Sequence, residues 1–473
     1  MAISMQTYSV DLNNFLNTSL ATLRRPITAL QTQKSNLQLK YGIFTDLKTK
    51  LQSLQTAVDG LGQSGTLSTF RSKMAATSDS SVVTAAATSS AARGSHTVAA
   101  TQLATAHTVV SSRYDNAGTT LAQGLLGANT FSVAVGDETY EVSVTISGGM
   151  TNREVLSRIA AAISEASDGE VVSSVVGDTP SSSKLSIRSS STGTVGAMSF
   201  TDPGGTLAAL GVTNQSKATA TVGGYVYADL GNNELDARVT VDGIDIIASS
   251  NEISDAINGV TLNLLATQAE NASPVIVTVT ADLDAIKTKI ANFIAKYNEA
   301  FTYLVAKTKV NGATYERAAL SGDYPYASLR LGMRQAMVSP VATGSPDYQA
   351  LSQIGISCDR SGTFSISDAD LLATALADDM GSVESIFASE GGVATNLKAM
   401  LGSYCGARGT IGVSQTGLTS RINNIDAAIK RQESYVAIRE RSLRQQYASL
   451  QDALNVLTNT ESMLAKFSAI WGI

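Results

Sequence analysis

The chain has 473 residues, a length typical of about three domains. Its 34 Lys and Arg residues are outnumbered by 40 Asp and Glu residues, and a net charge of −6 gives no counterion-release attraction to nucleic acid. Hydrophobic residues make up 43% of the chain, which is enough to build cores and excludes disorder along the whole length. We therefore expect a folded multidomain protein with no nucleic-acid partner.

Apolar residues near the N-terminus recur at steps of three and four, which predicts a long amphipathic helix. Pro26 within this run predicts a helix start or a kink, because its ring removes one backbone donor. Lys34 completes the pattern with a polar residue, and the step of three from Phe44 to Leu47 locally overwinds a coiled coil. The apolar positions are Leu12, Phe15, Leu16, Leu20, Leu23, Ile27, Leu30, Leu37, Tyr41, Phe44, Leu47, Leu51, Leu54, Val58 and Leu61.

The middle of the chain has the two-residue alternation of strands. Residues 131–146 alternate on both sides of a short turn, which predicts a β-hairpin. Thr151 and Glu154 have the spacing of a capping box, in which each side chain covers a free backbone N–H at the start of a helix. Further strands at 171–176 and 185–187 complete a predicted ββαββ module.

A second β-rich unit is predicted on either side of this module. Residues 77–92 are almost all Ser, Thr, Ala and Val, and their β-branched content favours an extended, strand-like segment. Residues 233–280 contain more alternating runs, with a turn at Asp242-Gly243.

Two more amphipathic stripes follow, at 286–304 and 418–464, the latter including Leu450, Leu454, Leu457 and Leu464. None of the three helical stripes can be buried alone, so they are expected to pack together as a helical-bundle stalk. The predicted fold class is therefore α+β. On the last helix, Arg439, Arg441 and Arg444 are interpreted as a solvated face.

Residues that could support catalysis or metal binding are few and scattered. A zinc site would need His96, His107, Cys358 and Cys405 to converge, so both histidines are interpreted as polar residues at exposed strand positions. The two cysteines allow at most one disulfide. Asp368 is interpreted as a helix N-cap rather than a catalytic acid. We expect no enzymatic activity, no metal and no cofactor.

Several motifs resemble the family of bacterial flagellar filament caps, flagellar hook-associated protein 2, over nearly the whole chain. Residues 11–30 are similar to the opening helix of that family. Residues 131–187 resemble the hook-type insert that is found across flagellar proteins. The most specific stretch is Val241-Asp242-Gly243-Ile244 together with residues 251–262.

The resemblance implies an elongated chain that forms a homo-oligomeric ring, a pentamer or a similar assembly, at the distal tip of the filament. Such a ring retains exported flagellin and promotes its folding and polymerisation. The implied partners are other copies of the chain, flagellin, the distal filament end, hook-associated junction proteins and an export chaperone. The terminal helices are implied to contact the filament, and the expected contact residues are Leu12, Phe15, Leu16, Leu20, Ile27, Leu30, Leu450, Leu454, Leu457 and Leu464.

The helical ends and the β-rich middle suggest four domains. They are a terminal coiled coil at 1–42 and 435–473, a helical stalk at 43–75 and 275–434, a β-rich domain at 76–111 and 217–274, and an inserted ββαββ head domain at 112–216.

The expected location is extracellular, at the tip of the flagellum. No basic residue precedes Arg24 and no long apolar run is present there, so we expect no cleaved signal peptide. The resemblance implies export through the flagellar apparatus. No stretch approaches the roughly 20 apolar residues that cross a bilayer, so no membrane insertion is expected. Two alternatives remain: another axial protein, such as a hook–filament junction protein, and an adhesin whose Ser/Thr-rich head binds mucin.

Overall fold

A computed structural model of the protein describes residues 5–227, 234–269, 271–312 and 314–471, with the backbone alone for 5–13, 66 and 468–471. The chain divides into two compact units. The helical unit comprises residues up to Phe70 and from Leu283 onward, and the β unit comprises Arg71–Asp282.

The helical unit is built on two very long helices and several shorter ones. Its helices are α1 (Met5–Leu61), α5 (Leu283–Thr308), α6 (Tyr324–Val338), α7 (Ala369–Asp378), α8 (Met380–Ala388), α9 (Val393–Cys405) and α10 (Thr410–Trp471). A short hairpin, β17 (Ile356–Cys358) with β18 (Phe364–Ile366), lies between α6 and α7. The three predicted amphipathic helices are confirmed.

The apolar stripes of α1 and α5 lie in the core of the helical unit, together with apolar residues of its other helices. On α1 the stripe from Phe44 to Leu61 is at most 2% exposed at each apolar position, including both sides of the step of three. On α5 the stripe from Ile286 to Leu304 faces the same cluster. Burying one such side chain stabilises the fold by roughly 1.5–3 kcal/mol relative to leaving it exposed, so these two stripes anchor the unit.

Local signals at helix ends agree with the sequence, whereas Pro26 does not interrupt its helix. The Oδ1 atom of Asp368 accepts a hydrogen bond from the Leu371 N–H at 2.8 Å, which confirms Asp368 as an N-cap. Pro26 lies inside the continuous helix α1. The expected helix start is therefore wrong, and the packing of α1 against its neighbours outweighs the loss of one backbone hydrogen bond.

The β unit contains two groups of strands with separate apolar cores, which we call the β domain and the insert. The β domain consists of a five-stranded sheet in the order β1-β16-β3-β12-β13 and a three-stranded sheet in the order β14-β15-β2. Its strands are β1 (Lys73–Thr77), β2 (Val83–Ala87), β3 (Gly94–Gln102), β12 (Ala237–Val241), β13 (Ile244–Ala248), β14 (Glu252–Ile257), β15 (Val260–Leu264) and β16 (Val275–Ala281).

The insert contains the predicted ββαββ module. The module consists of β6 (Gly127–Val135), β7 (Glu138–Ile146), α3 (Asn152–Ala166), β8 (Val171–Thr179) and β9 (Ser182–Thr192). The capping box at the start of α3 is confirmed, since the side chains of Thr151 and Glu154 each accept from the other's backbone N–H. The remaining elements are β4 (Ala106–Val110), β5 (Tyr114–Asp115), α2 (Thr120–Gly124), β10 (Met198–Thr201), α4 (Thr206–Ala209) and β11 (Gly224–Tyr227).

The structure corrects several predicted domain boundaries. β1 and β16 pair with each other in the sheet of the β domain, so residues 73–75 and 275–281 do not belong to the helical stalk. β4 and β11 pair with each other, and β4 also pairs with β9, so the insert is wider than 112–216. Hydrogen bonding between strands, which the alternation pattern does not encode, sets these boundaries.

One histidine is not where the sequence suggested. His107 is 5% exposed, and its Nδ1 atom accepts a hydrogen bond from the Met198 N–H at 2.8 Å, so its prediction as an exposed residue is wrong. Burial lowers the pKa of His107, which keeps the ring neutral and Nδ1 an acceptor. His96 is half-buried, and its Nδ1 lies 2.7 Å from the Asp242 carboxylate. Both cysteines are free thiols, and Cys405 is buried.

Candidate assembly surface

The outer parts of α1 and α10 lie side by side and form a two-helix coil, residues 14–42 with 419–467, which we call the terminal coil. Its two helices are antiparallel, as two cross-helix ion pairs show. Lys34 Nζ lies 2.6 Å from the Asp426 carboxylate, and Arg24 lies 3.1 Å from Glu440. Residues nearer the start of α1 therefore lie opposite residues nearer the end of α10.

About half of the predicted contact residues lie along the seam of this coil. Leu16 and Leu20 are buried, with 8% and 6% of their surface exposed. Ile27, Leu30 and Leu454 are half-buried. These five residues are the covered half of the predicted set, and we expect them to act on assembly through the shape of the coil.

Four of the other predicted contact residues face solvent. Phe15 is 69% exposed, Leu450 49%, Leu457 61% and Leu464 64%. The side chain of Leu12 lies outside the described residues. Large exposed apolar side chains that recur along one helix mark a surface for a protein partner rather than a monomer surface.

Sequence reasoning missed further exposed apolar residues on α10. Ile438, Val456, Met463 and Phe467 are each at least 60% exposed. These residues do not belong to the apolar stripe that the leucine spacing predicts on α10. A second apolar stripe on the same helix was the available signal, because one helical neighbour can cover only one side.

A groove of about 490 Å³ runs between the two helices of the terminal coil. Phe15 and Leu23 line it on the α1 side, and Tyr435, Arg439 and Leu443 line it on the α10 side. The Arg439 Nε atom donates a hydrogen bond to the Tyr435 hydroxyl at 3.3 Å, and this bond raises the pKa of Arg439. The groove thus combines an apolar lining with a permanently cationic group, a surface suited to packing a helix.

Glu440 connects the two helices at the rim of this groove. It accepts a hydrogen bond from Arg444 at 2.7 Å and another from Arg24 at 3.1 Å, and the bond from Arg444 lowers the pKa of Glu440. Arg444 is therefore paired, and its interpretation as purely solvated was incomplete. The i,i+4 spacing of Glu440 and Arg444 was the sequence signal for this pair.

Lys34 occupies a core-type position, and the structure supplies its partner. Its pair with Asp426 is half-exposed and joins residues that are far apart in the chain. A polar residue at such a position weakens a coil but favours one register, because only that register places the opposite charge beside it. In the terminal coil, apolar side chains thus provide packing surfaces, and the pair of Lys34 and Asp426 favours one register.

Two family models match the chain, one at each end. The model described as flagellar hook-associated protein 2 N-terminus matches residues 9–107, and the model for the C-terminus of the same protein matches residues 235–459. The chain belongs to the flagellar hook-associated protein 2 family. The matched residues include most of the terminal coil and the β domain, whereas much of the insert lies between the two models.

Curated relatives of this family align along nearly the whole chain. The A-type flagellar hook-associated protein 2 of Pseudomonas aeruginosa is 26% identical over 97% of this chain and 95% of its own length. Flagellar hook-associated protein 2 of Escherichia coli strain K12 is 26% identical over 97% of this chain and 96% of its own length.

A solved structure shares the fold. The D1-D2-D3 domains of the flagellar cap protein FliD from Escherichia coli match with a TM-score of 0.61 and 25% identity, covering 80% of this chain and 99% of that one. The sequence resemblance to filament caps is confirmed, and the alternative of a hook–filament junction protein is not favoured.

Among the described ranges, no cluster of His, Cys, Asp and Glu side chains has the geometry to hold a metal ion. Within the same ranges, no helix combines the length and apolar content needed to cross a membrane.

Proposed function

We propose that this chain caps the distal end of a bacterial flagellar filament as a ring of identical subunits. The cap retains exported flagellin, shelters its folding and directs each subunit into the lattice. Membership of the flagellar hook-associated protein 2 family supports this function. The relative of matching fold is itself described as a flagellar cap protein.

The observation that carries the proposal is the apolar surface of the terminal coil. Phe15, Leu457 and Leu464 are each more than 60% exposed, although a monomer gains nothing from apolar side chains in water. Contact with the filament end or with neighbouring copies would cover them. Packing of this kind needs no covalent chemistry, so we expect the chain to have no enzymatic activity.

The remaining partners follow from the same proposal. Flagellin, hook-associated junction proteins and an export chaperone each meet a cap during assembly. We expect the chain to reach the flagellar tip through the flagellar export apparatus, without cleavage of a signal peptide. N-terminal sequencing of the protein recovered from filaments tests this route, and a shortened N-terminus would contradict it.

A truncation tests the role of the terminal coil. A variant that lacks residues 1–42 and 435–473 keeps the buried stripe of α1 from Phe44 onward and the whole β unit. We expect it to resist proteolysis and to keep its β-sheet signal in circular dichroism. In a strain without its own cap it should fail to restore filaments, and flagellin monomer should accumulate in the medium.

The full-length chain in the same strain is the control, and it should restore filament length and retain flagellin. Filament growth supported by the folded truncation would overturn the assignment of the terminal coil as the assembly surface. Failure of the full-length chain itself would count against the capping function. Binding of the full-length chain to mucin glycans, without an effect on filaments, would favour the adhesin alternative.

A further inference from the structure

The insert is joined to the β domain by two crossings of the chain. One crossing is Leu103–Thr105, and the other leads into Leu235 and Asp236. The Thr105 N–H donates to the Leu235 carbonyl at 2.8 Å, so the two crossings are paired. Two adjacent strands of chain between separate cores would by themselves act as a hinge, since a few residues at the ends of elements can absorb large changes of backbone angle.

A third contact closes this hinge, at the end of β9. The Thr194 N–H donates to Asp236 Oδ1 at 2.7 Å, and the Thr194 hydroxyl lies 3.0 Å from Oδ2. Next to it, the Thr192 hydroxyl donates to the Ser249 carbonyl at 2.7 Å, and the Gly193 N–H donates to the Thr105 carbonyl at 3.0 Å. The end of β9 is thus bonded to the β domain by side chain and backbone.

The approach at this contact is too close for any side chain. Gly193 has a φ of +76°, and a Cβ atom added there would lie 2.3 Å from Ser249 Cα. Only glycine combines that backbone conformation with that contact. The sequence therefore accommodates the approach of the two parts.

Asp236 is itself held in place. It is only 4% exposed, and its backbone carbonyl accepts a hydrogen bond from Gln102 Nε2 at 2.6 Å. Across the same junction, Asn251 accepts from the Ala104 N–H at 2.7 Å and donates to the Ala104 carbonyl at 3.0 Å. A carboxylate is costly to bury, so its presence at a junction between two cores calls for a role there.

We propose that Asp236 is a positioning residue that latches the insert onto the β domain, so that the two parts move as one body. The latch acts on orientation and not on folding, because the apolar cores of the insert and the β domain are separate clusters. Opening the latch leaves both cores intact and frees the hinge.

Hydrogen–deuterium exchange of the full chain, read by peptide, tests the latch. In Asp236→Ala we expect amide exchange at residues 192–197 and 103–106 to become about tenfold faster or more, as expected from the loss of a charge-assisted hydrogen bond. Exchange in α3 and in β15 should stay unchanged. Asp236→Asn keeps one oxygen that accepts from the Thr194 N–H, so it should restore most of the protection.

Asp202→Ala is the matched control, because the Asp202 carboxylate, like that of Asp236, accepts hydrogen bonds from the backbone, but its donors, the Thr206 and Ala208 N–H groups, lie within the insert. Its effect should stay near α4. If Asp236→Ala does not fold, Thr194→Val is the substitute, because it removes only the Thr194 hydroxyl donor. Its amide exchange should become faster in the same peptides, by a smaller factor. Unchanged exchange at 192–197 in the folded Asp236→Ala, or faster exchange throughout the insert, would overturn the proposal.

Discussion

Helix α1 passes through two environments that differ sharply although its sequence period is the same in both. Between Phe44 and Leu61, the helices α5 and α9 pack against it, and its stripe is buried. Between residues 14 and 42, its described side chains form the terminal coil with α10, where Phe15 and Leu39 are 69% and 68% exposed. The period specifies a helix, and the number of neighbours decides whether its stripe is buried. The surface that remains exposed is the part available for assembly.

The comparison predicts a large difference in stability between two leucine substitutions. Leu54 is fully buried in the core of the helical unit, so Leu54→Ala should lower the free energy of unfolding by about 2–5 kcal/mol. Leu457 is 61% exposed in the terminal coil, so Leu457→Ala should change it by about 0.5 kcal/mol or less. Urea titrations followed by circular dichroism at 222 nm measure both. Equal losses would mean that the terminal coil is buried in the free chain.

Assembly should depend on the leucines of the terminal coil more than on its arginines. The double change Leu454→Ala and Leu457→Ala removes apolar contact area on one face of α10, and we expect it to release flagellin monomer into the medium and shorten filaments. Arg441→Ala with Arg444→Ala breaks only an exposed ion pair, so motility should stay near normal. Secreted flagellin is measured against filament length for both. If the leucine variant assembles normally and the arginine variant fails to assemble filaments, the contact is electrostatic and not apolar.

The sequence predicted features that depend on neighbouring residues more reliably than features that depend on distant ones. The stripe of α1 and the capping box of Thr151 and Glu154 follow from short spacings, and the structure confirms them. The ion pair of Lys34 with Asp426 and the latch of Thr194 with Asp236 join distant segments, so no local pattern indicates them.

The burial of His107 shows the same limit within a single strand. Alternation predicts two faces for β4, but it does not reveal that the face of His107 is covered by the strand beginning at Met198. The insert boundaries were wrong for a related reason, because β4 and β11 are short strands whose sheet is set by their pairing partners.

Alkaline pH should lower the stability of the helical unit around α5. Burial, followed by a hydrogen bond to the Asp46 carboxylate, raises the pKa of Tyr303 to about 12, and burial also raises the pKa of Tyr297. The unfolded chain ionises its tyrosines near pH 10, before the folded chain does, so stability is full below that pH and falls as the pH rises toward 12. Urea midpoints at pH 9, 10 and 11 measure the loss.

Tyr303→Phe is the control for the alkaline effect, because phenylalanine cannot ionise in either state. The variant should lose less stability between pH 9 and pH 11 than the unaltered chain. Absorbance at 295 nm follows the ionisation directly. If Tyr303 ionises near pH 10 in the folded chain, neither its burial nor its hydrogen bond to Asp46 persists in solution.

The smallest effect concerns the ion pair that marks the register of the terminal coil. Lys34 and Asp426 are half-exposed, so Lys34→Met should change the free energy of unfolding by at most about 1 kcal/mol. Salt screens charges over about 10 Å at 0.1 M, so the difference between variant and unaltered chain should shrink further in 1 M NaCl. Thermal unfolding at both salt concentrations measures it.

A charge-reversed double variant distinguishes the effect of this ion pair on the register of the coil from its effect on stability. Lys34→Asp alone places two carboxylates together and should loosen the coil, whereas Lys34→Asp with Asp426→Lys restores attraction in the same register. Cysteines introduced at Thr22 and Ser442, which line the same groove from opposite helices, report register through their rate of disulfide formation. The rate should fall in the single variant and recover in the double variant. An unchanged rate in Lys34→Asp would mean that the apolar seam of Leu16 and Leu20 alone sets the register, and Lys34 would then be a tolerated polar residue.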